Sequence, residues 1–167
     1  MLRLIKAANG MNIFGQGIRI ILFTVPAVAA AVAAHHYVPN LVRIPLPRSI
    51  LTAVGVALAA PGLVLWFTAV VQLLVEFPRG KLVTAGAYRV CRNPIYSSFA
   101  FFILPGLSLA TGTWVYLVVA AVLCLGVVIF IRKEERDLSR VFGDEYRRYT
   151  ARVDRLIPFV KPAGSSV

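Results

Sequence analysis

Long stretches without charged residues alternate along the chain with short segments rich in arginine and lysine. No Lys, Arg, Asp or Glu occurs from Ile20 to Val42 or from Ser49 to Val75, and a third such stretch extends from Asn93 to Ile131. A transmembrane helix needs about 20 consecutive, mainly apolar residues. The first two stretches therefore each fit one membrane crossing, and the longer third stretch fits two.

The third stretch is interrupted near its centre by Ala110-Thr111-Gly112-Thr113, which predicts a tight turn. Each half then has about 18 residues, or about 27 Å of helix, which is just enough for the hydrocarbon thickness. In the second stretch, Pro61-Gly62 predicts a kink or a close helix contact. We predict an all-α integral membrane protein, a single membrane domain over residues 1–167, with spans at about 20–38, 49–76, 94–110 and 113–131.

Composition agrees with this fold class, because 59% of the residues are apolar and only 15% are charged, unlike the usual soluble domain. An alanine-rich stretch from Ala27 to Ala34 resembles a signal-peptide cleavage region, but the long preceding segment and the later spans favour an uncleaved anchor. Cys91 and Cys124 fall at the start of a loop and inside an apolar stretch. We predict free thiols and no metal site.

The 18 Lys and Arg residues exceed the seven Asp and Glu residues, giving a net charge of +11. Their clustering between uncharged stretches favours anionic membrane lipids over nucleic acid as a partner. Three basic residues precede the first span, four lie from Arg79 to Arg92, and nine follow Ile131, whereas the other two connections carry two and none. The positive-inside rule then places the three basic segments and both termini in the cytoplasm.

The polar tail at 132–155 keeps apolar residues at helical spacing, which predicts a cytoplasmic amphipathic helix lying on the membrane surface. Gly143 is expected to break this helix, with Asp144 placed to cap the second piece. Tyr146 and Tyr149 are expected to act as membrane-interface anchors. The apolar positions are Leu138, Val141, Phe142, Tyr146, Tyr149 and Val153.

Candidate chemistry lies in two segments, Gly80–Tyr96 and Arg132–Glu135. Because the third and fourth spans form a hairpin, both segments return to the same membrane surface. An arginine suits a carboxylate, and a glutamate suits an ammonium group or ribose hydroxyls. A cluster of Tyr88, Arg92 and Tyr96 with Glu134 or Glu135 therefore suits a zwitterionic ligand. Since neighbouring helix positions lie about 100° apart, we expect only one of the two glutamates to face it.

These segments resemble the isoprenylcysteine carboxyl methyltransferase and phospholipid methyltransferase superfamily. The family pattern is Leu-Val, Gly-x-Tyr and Arg-His-Pro-x-Tyr, followed after a helical hairpin by Glu-Glu, Phe-Gly-x-x-Tyr-x-x-Tyr and Ile-Pro. Asn93 stands where the family most often has histidine, and Ser98 where it often has glycine. The similar residues are Leu82-Val83, Gly86-Ala87-Tyr88, Arg92-Asn93-Pro94-Ile95-Tyr96, Glu134-Glu135, Phe142-Gly143-Asp144-Glu145-Tyr146, Tyr149 and Ile157-Pro158.

The resemblance, which covers Gly80 to Pro158, implies methyl transfer from S-adenosylmethionine, without a metal, to a lipid or lipid-linked carboxylate or amine at the cytoplasmic face. It implies catalytic roles for Arg92 and Glu135. It further implies that the cofactor is bound by Leu82, Val83, Tyr88, Arg92, Asn93, Pro94, Tyr96, Glu134 and Glu135.

Two other functions stay open at this point. Membrane sterol reductases share a similar Arg-His-Pro-x-Tyr segment and use a nicotinamide cofactor, although their endings differ. A non-enzymatic scaffold is the other alternative, in which Arg92 extends to lipid phosphates, Asn93-Pro94 only starts a helix, and Glu134 and Glu135 form a solvated helix face.

Overall fold

Four long helices form the molecule in the computed structural model, which describes residues 17–159. They are α1 (Gly17–Tyr37), α2 (Arg48–Glu76), α3 (Pro94–Thr111) and α4 (Val115–Thr150). Each is long and apolar enough to cross a membrane. The predicted fold class, a four-span all-α integral membrane protein, is confirmed.

Three short elements complete the described chain. A helix at Pro39–Val42 follows α1, a 3₁₀ turn at Phe77–Arg79 follows α2, and a helix at Ala87–Val90 precedes α3.

The helices pack side by side in the order α1, α4, α3, α2. Ile20 of α1 is fully buried against Leu123, Val127 and Ile131 of α4. Many apolar side chains on the outer faces are exposed, for example Leu22 of α1. Apolar side chains on the outside suit helices that are surrounded by lipid, because lipid tails are as apolar as leucine.

Small residues bring α2 and α3 into close contact. A Cβ atom on Gly55 would lie 2.4 Å from the backbone nitrogen of Ala110, and one on Gly62 would lie 2.4 Å from the Cβ of Phe102. A Cβ on Gly106 would lie 2.7 Å from the carbonyl oxygen of Gly55. Glycines at such crossings let the two backbones approach within lipid. The close contact predicted at Pro61-Gly62 is therefore present at Gly62.

A π turn at Phe99–Ile103 lies inside α3 and was not predicted from the sequence. Here the N–H of Leu104 donates to the carbonyl of Phe99, five residues earlier. Pro105 follows directly, and a proline in a helix lacks the N–H donor and clashes with the carbonyl four residues before it. The wider turn accommodates that clash.

The helix of the fourth span, expected at 113–131, continues without interruption into the polar tail, expected at 132–155, as far as Gly143, where a kink separates it from a second helical piece. α4 continues past Ile131 to Thr150, and its regular conformation is broken only at Gly143, where φ is 50° and ψ is −120°. The predicted break at Gly143 is thus present. That the tail lies on a membrane surface stays a prediction.

The two ends of the bundle are built from different connections. At one end, the α1–α2 connection meets the α3–α4 turn. The N–H of Ile44 donates to the carbonyl of Gly112 at 2.9 Å, and the N–H of Trp114 donates to the carbonyl of Val42 at 3.1 Å. At the other end, the α2–α3 loop meets the end of α4 and the chain that follows it. The candidate site lies at this second end.

Candidate functional site

The α2–α3 loop is fastened to α2 through Gln72. The side-chain oxygen of Gln72 accepts a hydrogen bond from the N–H of Ala87 at 2.9 Å. Gly86, which precedes Ala87, has φ 59° and ψ −123°. Residues that carry a side chain rarely adopt this conformation. A Cβ on Gly86 would also lie 1.8 Å from the side-chain nitrogen of Gln72. This close approach holds the short Ala87–Val90 helix, with Tyr88, against the bundle.

Arg92 and Glu135 meet between the loop and α4. Nη1 of Arg92 lies 2.8 Å from Oε1 of Glu135, and each side chain is only 14% exposed. The Nε atom of Arg92 is buried and has no hydrogen-bond partner among the described residues. Because a buried, unsatisfied donor costs about 1–3 kcal/mol, this edge of the guanidinium is suited to an added acceptor.

Arg155 is a second partner of the same carboxylate. Its Nη2 lies 2.6 Å from Oε2 of Glu135, and its Nε donates to Oε1 at 3.0 Å. Such a two-point contact between guanidinium and carboxylate is geometrically specific and stronger than a neutral hydrogen bond. Glu135 therefore lies between two arginines, and both of its oxygens accept hydrogen bonds.

The chain after α4, residues 151–159, forms a C-terminal segment that crosses the start of α3. The N–H of Arg92 donates to the carbonyl of Asp154 at 2.8 Å, and that of Phe159 donates to the carbonyl of Val90 at 3.1 Å. The side-chain nitrogen of Asn93 donates to the carbonyl of Arg155 at 2.9 Å. Two of the predicted cofactor ligands, Arg92 and Asn93, are thus hydrogen-bonded to this segment.

Glu134, the neighbour of Glu135, lies near the tyrosine of the loop. Burial raises the pKa of the Tyr88 hydroxyl, and the negative charge of Glu134 raises the pKa further. Tyr88 therefore stays neutral at physiological pH and is available as a hydrogen-bond donor. Both glutamates are partly buried at this end of the bundle. That only one of them faces the site stays a prediction.

Pro94 and Tyr96 lie at the base of the site. Pro94 is buried and is the first residue of α3. The ring of Tyr96 packs against the core cluster around Ile20, and its hydroxyl lies 2.9 Å from the point where a Cβ on Gly17 would stand. The beginning of α1 thus covers this part of the site.

Leu82 and Val83 face two different clusters. Val83 packs with Tyr88, whereas Leu82 packs with Tyr146 and Tyr149. Both of these tyrosines are buried, and the hydroxyl of Tyr149 donates to the carbonyl of Tyr88 at 2.6 Å. The expectation that they anchor the chain at the membrane interface is therefore wrong, since their rings fill space between the loop and α4.

Two residues that hold the site together were missed in the sequence. Gln72 could have been suspected, because a strongly polar amide inside an apolar span usually has a specific partner. Arg155 carried no comparable signal, since it is one of nine basic residues after Ile131. Its pairing with Glu135 depends on the C-terminal segment folding back.

Residues 50–145, more than half of the chain, match the sequence profile of the phospholipid methyltransferase family. The chain belongs to the phospholipid methyltransferase family. The matched region begins in α2 and includes the α2–α3 loop, Arg92, Glu134 and Glu135. Family membership thus agrees with the resemblance found in the sequence.

Three curated proteins are similar to this member of the phospholipid methyltransferase family. Methanethiol S-methyltransferase 1 of Bradyrhizobium diazoefficiens is 42% identical over 84 residues, which cover 49% of this chain and 27% of that protein. Methanethiol S-methyltransferase of Crocosphaera subtropica is 31% identical over 87 residues, which cover 51% of this chain and 32% of that protein. Methanethiol S-methyltransferase of Pseudomonas deceptionensis is 31% identical over 84 residues, which cover 49% of this chain and 30% of that protein. The similarity therefore spans about a third or less of each relative.

Proposed function

We propose that this chain is an S-adenosylmethionine-dependent membrane methyltransferase whose cofactor is bound where the α2–α3 loop meets the end of α4. One observation carries the proposal: beside the Arg92–Glu135 contact, in the family-matched region, the buried Nε of Arg92 has no hydrogen-bond partner among residues 17–159. Membership in a methyltransferase family favours this function over a nicotinamide-dependent reductase or a scaffold.

The residues present fit the polar groups of S-adenosylmethionine. Arg92 uses Nη1 for Glu135, so its Nε edge is available for the carboxylate of the methionine part. Glu134 supplies a negative charge beside Tyr88 for the ammonium group or the ribose hydroxyls. The rings of Tyr88 and Tyr96 offer faces for the sulfonium, through cation–π attraction. Leu82, Val83, Asn93 and Pro94 complete the proposed binding set through their backbone and the shape of the loop.

Bound S-adenosylmethionine supplies an electrophilic methyl group for in-line displacement. Arg92 would align the donor by its charge-assisted hydrogen bond, and correct alignment is worth several kcal/mol of the barrier. Glu135 would hold Arg92 in place, and Arg155 would hold Glu135. The partly buried Leu82 and Val83, together with the buried Tyr146 and Tyr149, would keep water away from the reacting atoms.

For the acceptor, we propose a lipid or lipid-linked carboxylate or amine that approaches from the bilayer. A carboxylate is already nucleophilic, whereas an amine needs a base to keep it neutral, and Glu135 or Glu134 is the proposed base. A small thiol is a second acceptor class, favoured because all three similar proteins are methanethiol S-methyltransferases. A small apolar thiol also partitions into the bilayer, so both classes share the same route.

We further propose that both termini and the candidate site face the cytoplasm, and that the basic segments contact anionic membrane lipids. Support comes from charge: four and nine basic residues belong to the α2–α3 loop and the region after Ile131, whereas two belong to the opposite end.

Cofactor binding tests the proposal. The protein in detergent micelles or nanodiscs is titrated with S-adenosylhomocysteine by calorimetry, and micromolar binding is expected. Arg92→Ala should weaken binding at least tenfold, because a charge-assisted hydrogen bond is worth about 1.5–3 kcal/mol. The exposed Arg132→Ala serves as a matched control and should bind like the wild type.

The same titration with reduced nicotinamide dinucleotide separates the alternatives. Binding of the nicotinamide cofactor without S-adenosylhomocysteine would replace the proposal by the reductase, and binding of neither would favour the scaffold. Membranes incubated with methyl-labelled S-adenosylmethionine then identify the acceptor: label is expected in the extracted lipid, whereas label only in a volatile sulfide after addition of methanethiol would assign the thiol class.

A further inference from the structure

An open cleft of about 840 Å³ lies between the α2–α3 loop and the C-terminal end of α4. Three arginines line it: Arg89 from the loop, Arg148 from the last turn of α4, and Arg152 from the C-terminal segment. All three are exposed. The hydroxyl-bearing Thr84 and the carboxylate-bearing Glu145 also line the cleft.

None of these three arginines forms an ion pair within residues 17–159. Other exposed arginines of the same end do find partners: Arg147 lies 3.3 Å from Asp144, and Arg79 lies 3.1 Å from Glu76. Glu145, which borders the cleft, forms no ion pair with any of the three in the described part of the chain. With three arginines and one glutamate in its lining, the cleft therefore carries a net positive charge.

The three guanidinium groups repel one another, and the helix dipole of α4 stabilises only one of them. Arg148 is favoured near the carbonyl end of α4 by the helix dipole. That interaction does not account for Arg89 or Arg152, which belong to the loop and to the C-terminal segment, and like charges that line one cleft repel one another. An anion in the cleft would turn this repulsion into attraction.

We propose that the cleft binds a phosphate group, with the headgroup of an anionic phospholipid as its source. Guanidinium groups match phosphate oxygens through paired N–H donors, and Thr84 adds a hydroxyl donor. The cleft lies at the same end as the basic α2–α3 loop and the basic chain after Ile131, and clustered basic residues beside membrane spans are attracted to anionic lipids. Glu145 opposes the anion and limits its affinity.

This site is distinct from the candidate cofactor site but borders it. Tyr149 lines the cleft, and its hydroxyl donates to the carbonyl of Tyr88 at 2.6 Å. Binding of a phosphate would therefore hold together the loop and the end of α4, the two elements that build the cofactor site. The proposal does not depend on the chemistry of that site.

The test uses the purified chain in a neutral detergent, titrated with short-chain phosphatidylglycerol, short-chain phosphatidylcholine and inorganic phosphate. Binding is measured by native mass spectrometry, and folding is checked by the thermal unfolding temperature. The cleft variant combines Arg89→Gln, Arg148→Gln and Arg152→Gln. The control variant combines Arg132→Gln, Lys133→Gln and Arg136→Gln, which removes the same charge from exposed positions outside the cleft.

We expect the cleft variant to bind phosphatidylglycerol at least tenfold more weakly, the control variant to change by less than twofold, and Glu145→Gln to bind more tightly. Inorganic phosphate binding as tightly as the lipid, with the same loss in the cleft variant, would support the phosphate site but assign a soluble source. Equal losses in both triple variants, or no binding by the wild type, would overturn the proposal, since only diffuse charge would then act.

Discussion

At the scale of single residues, the candidate site is organised by one carboxylate between two arginines. Glu135 accepts hydrogen bonds from Arg92 and Arg155, which lie on opposite sides of it in the chain. Both oxygens are used, so its proposed role as a base requires one of these arginines to move. Glu134, beside the buried hydroxyl of Tyr88, is the glutamate that we expect to contact the ammonium group or ribose of the cofactor.

Two glycines with nearly the same backbone conformation allow a residue-scale prediction. Gly86 has φ 59° and ψ −123°, and Gly143 has φ 50° and ψ −120°. A Cβ on Gly86 would meet the Gln72 amide, whereas one on Gly143 would have no atom of the described residues within 4 Å. Gly143→Ala should lower the free energy of unfolding by about 1–3 kcal/mol from backbone strain alone, and Gly86→Ala by more.

The measurement is denaturant unfolding in detergent, followed by circular dichroism. Because the backbone angles match, the difference between the two variants reports the contact with Gln72. Equal losses in Gly86→Ala and Gly143→Ala would mean that the close approach to Gln72 contributes nothing to stability.

Much of the site was predictable at this scale because its residues belong to short contiguous patterns. Arg92, Tyr96 and the glutamate pair were identified from local sequence. Arg155 was not, because its contact with Glu135 spans 20 residues and depends on how the chain turns after α4. The burial of Tyr146 and Tyr149 was also missed, since helical spacing reveals an apolar face but not whether lipid or protein covers it.

At the scale of helices, the spans were predictable because lipid tolerates few charges and requires every backbone group to be hydrogen-bonded internally. The Ala110–Thr113 turn likewise follows from its composition. The continuation of α4 beyond Ile131 was not predictable from apolarity, because a helix leaving the membrane changes its surface but not its hydrogen bonding. The π turn in α3 depends on Pro105 within a packed helix, which apolarity does not reveal.

The close contact of α2 and α3 gives an element-scale prediction. A Cβ on Gly55 would collide with backbone atoms of α3, at 2.4 Å from Ala110 N, whereas one on Gly126 meets side-chain atoms, the ring of Phe23 at 3.0 Å and Cγ2 of Ile20 at 3.6 Å. A ring can shift, but a packed backbone cannot do so without moving the helix. Gly55→Ala should therefore destabilise the protein by about 1–3 kcal/mol, and Gly126→Ala should be near neutral.

Thermal unfolding in the same detergent, monitored by light scattering and intrinsic fluorescence, compares the two variants. Gly126→Ala is the control, because it introduces the same methyl group into another helix contact. A fully stable Gly55→Ala protein would show that α2 and α3 are not held at this distance in the membrane.

At the scale of the whole molecule, the two ends differ in charge and in construction. The end with the α1–α2 connection carries two basic residues, and the end with the candidate site carries most of the others. This asymmetry is the basis of the proposed cytoplasmic orientation.

Cysteine labelling tests the orientation. In a background of Cys91→Ala and Cys124→Ala, Leu46→Cys places a thiol in the α1–α2 connection, where the native residue is 59% exposed, and Ala85→Cys places one in the exposed α2–α3 loop. A membrane-impermeant maleimide added to intact cells should label position 46. Position 85 should react only after permeabilisation, and the reverse pattern would invert the proposed topology.

The hydrogen bonds that join residues 154–159 to the start of α3 have a consequence for biosynthesis. Arg92 and Asn93 leave the ribosome more than 60 residues before their partners Asp154 and Arg155. All four helices can therefore enter the bilayer while the Arg92–Glu135 cluster still lacks its third member. The candidate site would therefore be completed only after residues 154–159 have been synthesised, so a chain that terminates near residue 150 would insert all four helices but lack the Arg155–Glu135 contact.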